Sequence, residues 1–104
     1  MKERRQYPRY PFIASAQLLE EESEIRVAAR ISELSSGGCY VDMVNPFPPG
    51  AAVRIHITRG ACVFHAAGFV VYSNPNVGMG VAFRRLDPES RALLEEWLRV
   101  STEA

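Results

Sequence analysis

Short runs in which apolar and polar residues alternate follow one another along most of this chain, and they limit its fold more than any other feature. Alternation with a period of two is typical of a β-strand with one buried face. The runs are separated by turn-forming glycine, proline and asparagine, and no βαβ pattern is visible. The sequence therefore predicts antiparallel strands joined by short turns.

The alternating runs can be placed along the chain. Their predicted starts lie near Ala14, Ile25, Cys39, Val53, Cys62 and Gly78. The fifth run is long and apolar, and it contains Gly68, which is typical of a bulge or a barrel corner. Six or so short strands at regular spacing favour a mainly β fold, a small antiparallel β-barrel.

The periodicity changes near the C-terminus, at Asp87-Pro88-Glu89. Aspartate is a good N-cap, proline suits the first helical position, and a carboxylate in the first turn interacts well with the helix dipole. One apolar stripe follows, at Leu93, Leu94, Trp97 and Leu98. We therefore expect a C-terminal helix of roughly three turns that packs on the barrel.

Size and charge exclude several classes of function. The chain has 104 residues, with 12 basic and 12 acidic side chains and no formal net charge. It therefore fits one small domain and lacks the general basic field that draws in long nucleic acids. No apolar run reaches the roughly 20 residues of a membrane span, and no secretory signal is visible. We expect a cytoplasmic protein without membrane insertion.

The residues that commonly serve catalysis or metal binding are few. His56 and His65 are the only histidines, and Cys39 and Cys62 are the only cysteines. They show no short metal-ligand spacing and no nucleophile–base pattern. We expect no catalytic residue, no metal, no cofactor and no enzymatic activity. Both thiols lie in apolar runs and are predicted to be buried and unpaired.

Two arginines near the N-terminus, Arg5 and Arg9, point to a small anionic ligand. The segment also contains Pro8 and Pro11, which exclude a helix interior. In an extended chain the two arginines span at most about 14 Å, so both can contact one small ligand. A guanidinium can bind two acceptors at once and can stack on a planar base. Arg4 adds a third cation.

A second motif, Glu33-Leu34-Ser35-Ser36-Gly37-Gly38, lies in a predicted turn between two strands. The hydroxyl of Ser35 can donate to a phosphate or a base. Adjacent glycines permit positive φ, and they let backbone N–H groups approach a phosphate without a Cβ in the way. A carboxylate at position 33 can accept hydrogen bonds from N–H groups of a ligand. The turn is therefore a candidate second wall of the same site.

In this order the two motifs resemble RxxxR and [D/N]xSxxG, the signature of PilZ domains, with Glu33 where the family has Asp or Asn. Pro49-Gly50 before a strand and the Gly78–Phe83 run are similar to further family features. The resemblance covers nearly the whole chain. It implies a small β-barrel with a helix that acts as a receptor for cyclic di-GMP.

The resemblance also implies roles for individual residues. Arg5 and Arg9 would bind guanine and phosphate, and Arg4 would favour an intercalated pair of ligands. The implied ligand-binding set is Arg4, Arg5, Arg9, Glu33, Ser35, Gly37 and Gly38. A flexible arm, residues 1–11, would become ordered on the barrel, residues 12–104, when ligand binds. An unidentified effector protein in trans would then respond.

Two other functions remain open from the sequence. The first is a degenerate PilZ domain that interacts with proteins and binds no nucleotide, to which Glu33 points. The second is a small barrel that binds single-stranded RNA with aromatic side chains near the basic arm, at Tyr7, Tyr10 and Phe12. Neutral net charge argues against the RNA-binding alternative.

Overall fold

The computed structural model describes residues 8–103. Over these residues the elements are β1 (Tyr10–Glu20), β2 (Ile25–Leu34), β3 (Gly38–Asp42), β4 (Ala52–Arg59), β5 (Cys62–Asn74), β6 (Gly78–Leu86) and α1 (Pro88–Glu103). The strands form a closed antiparallel barrel in the order β1-β2-β3-β6-β5-β4. The prediction of a mainly β fold, a small six-stranded antiparallel barrel with a C-terminal helix, is confirmed.

The barrel interior is filled by the apolar residues of the alternating runs. In β4, for example, Val53, Ile55 and Ile57 are buried while the intervening residues are exposed. Gly68 marks a register shift between β5 and β6, as its position in a long apolar run predicted. The ring order places β3 and β6 on the side of the barrel opposite β4 and β1. The barrel therefore has one outer face centred on β3 and β6 and another centred on β4 and β1.

The helix begins where the sequence predicts it. The Asp87 carboxylate accepts a hydrogen bond from the Ser90 backbone N–H at 2.7 Å, which is an N-cap contact. Trp97 packs against Phe12 of β1 and Phe64 of β5, with ring centroids 5.0 and 6.1 Å away. The helix has 16 residues, so it is longer than the three turns expected.

The first strand starts earlier than its alternating pattern indicated. Tyr10 pairs with Leu34 and Pro11 pairs with Glu33, before a register shift that ends at Ala14. The irregularity explains why simple alternation is visible only from Ala14. Two residues assigned to the arm, Tyr10 and Pro11, therefore lie in the barrel wall. The mobility expected of the arm concerns mainly residues 1–7, which lie outside the described range, and stays a prediction.

The two cysteines differ in environment. Cys39 is buried, and burial raises the pKa of its thiol to about 12. Cys62 is exposed at the start of β5, so the prediction that both thiols are buried is wrong for Cys62. Cys62 is the first residue of β5 after the β4–β5 turn, and its side chain is exposed although the run that it begins is apolar. None of the described residues belongs to a helix long and apolar enough to cross a membrane.

Candidate functional site

The two sequence motifs meet on the outer surface of the barrel. Arg9 Nη1 donates to Glu33 Oε1 at 3.0 Å, although the two residues are 24 positions apart in the sequence. The pairing of Pro11 with Glu33 brings the start of β1 beside the end of β2. The Arg9 side chain is 26% exposed and that of Glu33 is 43% exposed. Both charges therefore remain accessible to a ligand.

The surroundings keep Arg9 charged. Partial burial acts to lower the pKa of Arg9, but the hydrogen bond to Glu33 and the nearby Tyr72 phenol outweigh it, so that the pKa lies above its ordinary value. A guanidinium has five N–H donors, and Glu33 accepts from one of them. Arg9 can therefore hold Glu33 and still offer donors to a second acceptor.

Two tyrosines form an aromatic surface beside Arg9. The guanidinium carbon of Arg9 lies 6.0 Å from the centre of the Tyr72 ring. The Tyr72 and Tyr40 ring centroids are 6.2 Å apart, with planes inclined at 34°. Strand pairing explains the arrangement, because Glu33, Tyr40, Gly80 and Tyr72 lie in one row across β2, β3, β6 and β5.

Glycines of β6 make room for these rings. A Cβ added at Gly80 would lie 2.6 Å from Cζ of Tyr72, and one added at Gly78 would lie 2.7 Å from Cε2 of Tyr40. Both distances are shorter than real Cβ contacts, so a larger residue would displace the rings. The Tyr40 hydroxyl also accepts a hydrogen bond from Asn74 Nδ2 at 3.0 Å. The aromatic surface is therefore held in position by β6 and β5.

The turn of the second motif is organised around Ser35. Its Oγ accepts hydrogen bonds from the backbone N–H groups of Gly37 at 3.2 Å and Gly38 at 3.1 Å. The Ser35 N–H in turn donates to the Gly38 carbonyl at 2.8 Å. Ser35 is buried, whereas Ser36 is exposed. In this geometry Ser35 fixes the turn that holds β2 against β3, next to Glu33.

The glycines of this turn serve a different purpose from the one expected. Among the described glycines positive φ occurs at Gly50 and Gly60, and Gly37 and Gly38 do not adopt it. A Cβ at Gly38 would lie 2.0 Å from the Val81 carbonyl oxygen. The expectation of positive φ in this turn is therefore wrong. Gly38 is required because the backbones of β3 and β6 approach too closely for a side chain.

The structure brings several of the predicted ligand-binding residues together. Arg9, Glu33, Ser35, Gly37 and Gly38 lie together, either on the surface or in the turn beside it. Arg4 and Arg5 lie outside the described residues, so their roles stay predictions. We call the surface of Arg9, Glu33, Tyr40, Tyr72 and the 35–38 turn the motif face.

Sequence reasoning missed Tyr40 and Tyr72. Each is outward-facing in its strand, and each lies over a glycine of β6. The signal in the sequence is weak, because it appears only once the register that pairs the tyrosines with Gly78 and Gly80 is known.

The motif face has groups that can bind a base. It combines a guanidinium, a carboxylate and two aromatic rings, which can recognise the edge and the plane of a base. The part of the chain that the structure describes contains no group of three or more potential metal ligands. One of the three aromatic residues expected to contact RNA is not accessible for stacking. Phe12 is 4% exposed and is covered by Trp97 and Arg59.

Comparison with known proteins identifies the family. The family model described as PilZ domain matches residues 3–99, which is nearly the whole chain. The chain therefore belongs to the PilZ domain family. No curated protein matches it at a significant level.

Solved structures share the fold. The Bacillus subtilis inhibitor of motility, MotI/DgrA, has a TM-score of 0.74 at 20% identity over 98% of this chain and 53% of its own. The PilZ domain of YcgR from Escherichia coli, solved with c-di-GMP, has a TM-score of 0.74 at 17% identity, covering 97% of this chain and 93% of its own.

The PilZ domain of CeSA from a cellulose-synthesizing bacterium has a TM-score of 0.68 at 15% identity, covering 92% of this chain and 96% of its own. The chain thus spans about half the length of the inhibitor of motility and nearly all of the two isolated PilZ domains.

Proposed function

We propose that this chain is a cyclic di-GMP receptor domain and that the nucleotide binds on the motif face. The observation that supports this most strongly is the 3.0 Å contact between Arg9 and Glu33, which unites the two halves of the family signature. Membership of the PilZ family and the c-di-GMP in the similar YcgR domain also support it. The proposed activity is binding, and no reaction is assigned.

The chemistry of the ligand fits the motif face. Cyclic di-GMP has two guanines and two phosphates. The Hoogsteen edge of guanine presents O6 and N7 as paired acceptors, which the arginine fork matches. In the proposed complex Arg9 binds this edge or a phosphate, and Tyr72 provides a stacking surface 6.0 Å from the guanidinium. Glu33 accepts from guanine N–H groups, while Arg5 and Arg4 complete the cationic side of the site.

Signal transmission is proposed to involve the segment before β1. Arg9 lies directly before that strand, so a nucleotide held by Arg9 would bind next to the segment 1–8 in the sequence. Ordering of that segment would create a composite surface for an effector protein in trans. Protection from trypsin at Arg4, Arg5 and Arg9 by cyclic di-GMP tests this step. Equal cleavage with and without bound nucleotide would contradict it.

Isothermal titration calorimetry with cyclic di-GMP tests the binding proposal. Arg5→Ala and Arg9→Ala should each weaken binding by about 1–3 kcal/mol, the range of a bidentate arginine–guanine contact. Arg9→Lys should also weaken it, because lysine neither forks nor stacks. Arg99→Ala is the matched control, since Arg99 is an exposed arginine of α1. Unchanged affinity in both Arg5→Ala and Arg9→Ala would refute the proposed site.

A second candidate function is a protein-interaction module that does not bind nucleotide. Glu33 favours it, because it stands where the family has Asp or Asn and its carboxylate already binds Arg9. Glu33 also extends one methylene further than the aspartate of the family motif. The same titration separates the two candidates. If the folded wild-type protein gives no heat of binding at millimolar cyclic di-GMP, the interaction module is favoured.

A further inference from the structure

The opposite side of the barrel has a row of basic side chains that the nucleotide proposal does not use. Arg26 pairs with Leu19, Leu19 with Arg54, Arg54 with Ala67, and Ala67 with Arg85. These pairs form one continuous row across β2, β1, β4, β5 and β6. Because neighbouring strands lie about 4.8 Å apart, successive arginines of the row are about 10 Å apart.

A second row runs beside the first and adds two histidines. His56 pairs with His65 across β4 and β5, with ring centroids 4.3 Å apart in an edge-to-face arrangement. Two depressions follow these rows, one of about 400 Å³ and one of about 240 Å³, and both are lined by Arg54 and His56. Arg85 lines the larger one and Arg26 the smaller one. We call this surface, defined by Arg26, Arg54, Arg85, His56 and His65, the basic groove.

The charges of the basic groove are only partly compensated. Arg54 Nε contacts Glu21 Oε2 at 3.2 Å. Within residues 8–103, Arg26 and Arg85 make no ion pair, and Asp87 is the acidic residue that lines the larger depression. Among the residues that line the two depressions, three arginines face one aspartate, so the lining has an excess of positive charge, while the acidic loop of residues 20–24 borders one end of the row. Electrostatic complementarity requires an anionic occupant.

The same charges argue against a metal ion at the histidine pair. A cation near His56 and His65 would be repelled by the flanking arginines, and the described residues contain no group of three or more potential metal ligands. Partial burial, followed by the proximity of His65 and Arg26, lowers the pKa of His56, which is consistent with a positive local potential.

The shape and composition of the groove indicate which kind of anionic partner it can bind. Neither depression is lined by phenylalanine, tyrosine or tryptophan, so the stacking surface that single-stranded nucleic acids require is missing from it. The three arginines are spread over about 20 Å of the barrel wall, which is longer than one small anion can span. Carboxylates three residues apart in an extended peptide, or seven apart in a helix, match the spacing of about 10 Å.

We propose that the basic groove docks an acidic segment of a partner protein, whose carboxylates contact Arg26, Arg54 and Arg85. The proposal does not depend on nucleotide binding, because the groove is centred on β1 and β4 and the motif face on β3 and β6. The two surfaces can therefore be occupied at the same time.

Fluorescence anisotropy with the full chain and a fluorescein-labelled hexaglutamate peptide tests the proposal. The wild-type protein should bind this peptide and not the corresponding hexaglutamine peptide, and added salt should weaken binding. The double variant Arg26→Gln/Arg85→Gln should bind about tenfold more weakly, as expected for two exposed ion pairs. Arg99→Gln should bind like wild type, and cyclic di-GMP titrations of the double variant should be unchanged.

The pH dependence of peptide binding gives a second readout. The groups that surround His56 are Arg26, Arg54, His65, Arg85 and Asp87. A bound carboxylate favours protonated His56, so binding takes up a proton and tightens as the pH falls toward the lowered pKa of His56. His56→Gln should reduce this tightening while retaining affinity at pH 7.5.

Several results would overturn the proposal. No hexaglutamate binding by the wild type at millimolar peptide would do so, as would an equal loss in Arg99→Gln. Tighter binding of an oligothymidylate, lost in the same double variant, would assign the groove to nucleic acid. Concentration-dependent dimerisation that disappears in the double variant would assign it to a second copy of this chain, through its own acidic residues 20–24.

Discussion

The motif face is centred on β3 and β6, the basic groove is centred on β1 and β4, and the two surfaces are built in different ways. On the motif face, glycines of β6 let two tyrosine rings lie close to the backbone, and one ion pair joins Arg9 to Glu33. In the basic groove, long charged side chains project from regular strands, and no glycine of the barrel underlies them. The first surface depends on backbone spacing, whereas the second depends on charge.

This difference has consequences for recognition. A rigid surface with close-packed rings can select a planar ligand of defined shape, because its geometry is set before binding. Mobile arginines at the surface select for charge and tolerate variation in the partner. We therefore expect the motif face to be sensitive to small changes in shape and the basic groove to be sensitive to changes in charge.

The largest effect is expected from Gly38→Ala, which breaks the backbone spacing beneath the motif face. The added Cβ would lie 2.0 Å from the Val81 carbonyl oxygen, so β3 and β6 must separate. We expect a loss of about 3 kcal/mol of unfolding free energy, at the upper end for overpacking. Urea denaturation followed by circular dichroism measures it.

Gly60→Ala is the control for this variant. Gly60 has φ of +63°, and a Cβ added there would have no atom within 4 Å, so alanine meets conformational strain and no clash. The expected loss is about 1 kcal/mol. Equal losses in the two variants would contradict the claim that close backbone approach is what requires glycine at position 38.

The success of the fold prediction and its failures have a common origin. Strict alternation at Val53, Ile55 and Ile57 predicted a strand because each residue of β4 faces either core or solvent. The start of β1 was placed late because its irregular pairing between Pro11 and Ala14 interrupts the alternation. Local periodicity reveals regular strands, and it cannot reveal a bulge that pairing with another strand creates.

Tyr72→Leu removes the ring beside Arg9 and should sharpen the contrast between the two surfaces. Stacking of a base on an aromatic side chain contributes about 1–3 kcal/mol, so we expect cyclic di-GMP binding to weaken by about 1.5 kcal/mol. Tyr72→Phe, which keeps the ring, should lose much less. Hexaglutamate binding should be the same in both variants. Nucleotide affinity that is equally reduced in Tyr72→Phe would point to the hydroxyl rather than to stacking.

The smallest effect is expected at Glu33. Glu33→Asp shortens the side chain by one methylene, which weakens its hold on Arg9 and restores the residue of the family motif. We expect cyclic di-GMP to bind a few-fold more tightly, about 1 kcal/mol, as for one recovered hydrogen bond. Glu33→Ala should weaken binding only slightly. Weaker binding by Glu33→Asp, measured by calorimetry, would show that the site is adapted to glutamate.

The contact between the two motifs in the candidate site follows from residues that the sequence singles out. Arg9 and Glu33 were identified from motif spacing, and the structure brings them to 3.0 Å. Tyr40 and Tyr72 were not, because their proximity depends on β3 and β5 both neighbouring β6 in the barrel. The role of Gly38 was misjudged for the same reason, since the atom that excludes its side chain belongs to Val81 of β6.

Backbone amide NMR with isotopically labelled protein and cyclic di-GMP tests the central claim most directly. Binding on the motif face predicts shift changes at Arg9, Glu33, Tyr40 and Tyr72, and unchanged signals at His56 and His65 on the other side of the barrel. Hexaglutamate should give the reverse pattern in the same sample. Nucleotide-induced shifts concentrated on β1 and β4, with the motif face unchanged, would contradict the assignment of the two surfaces.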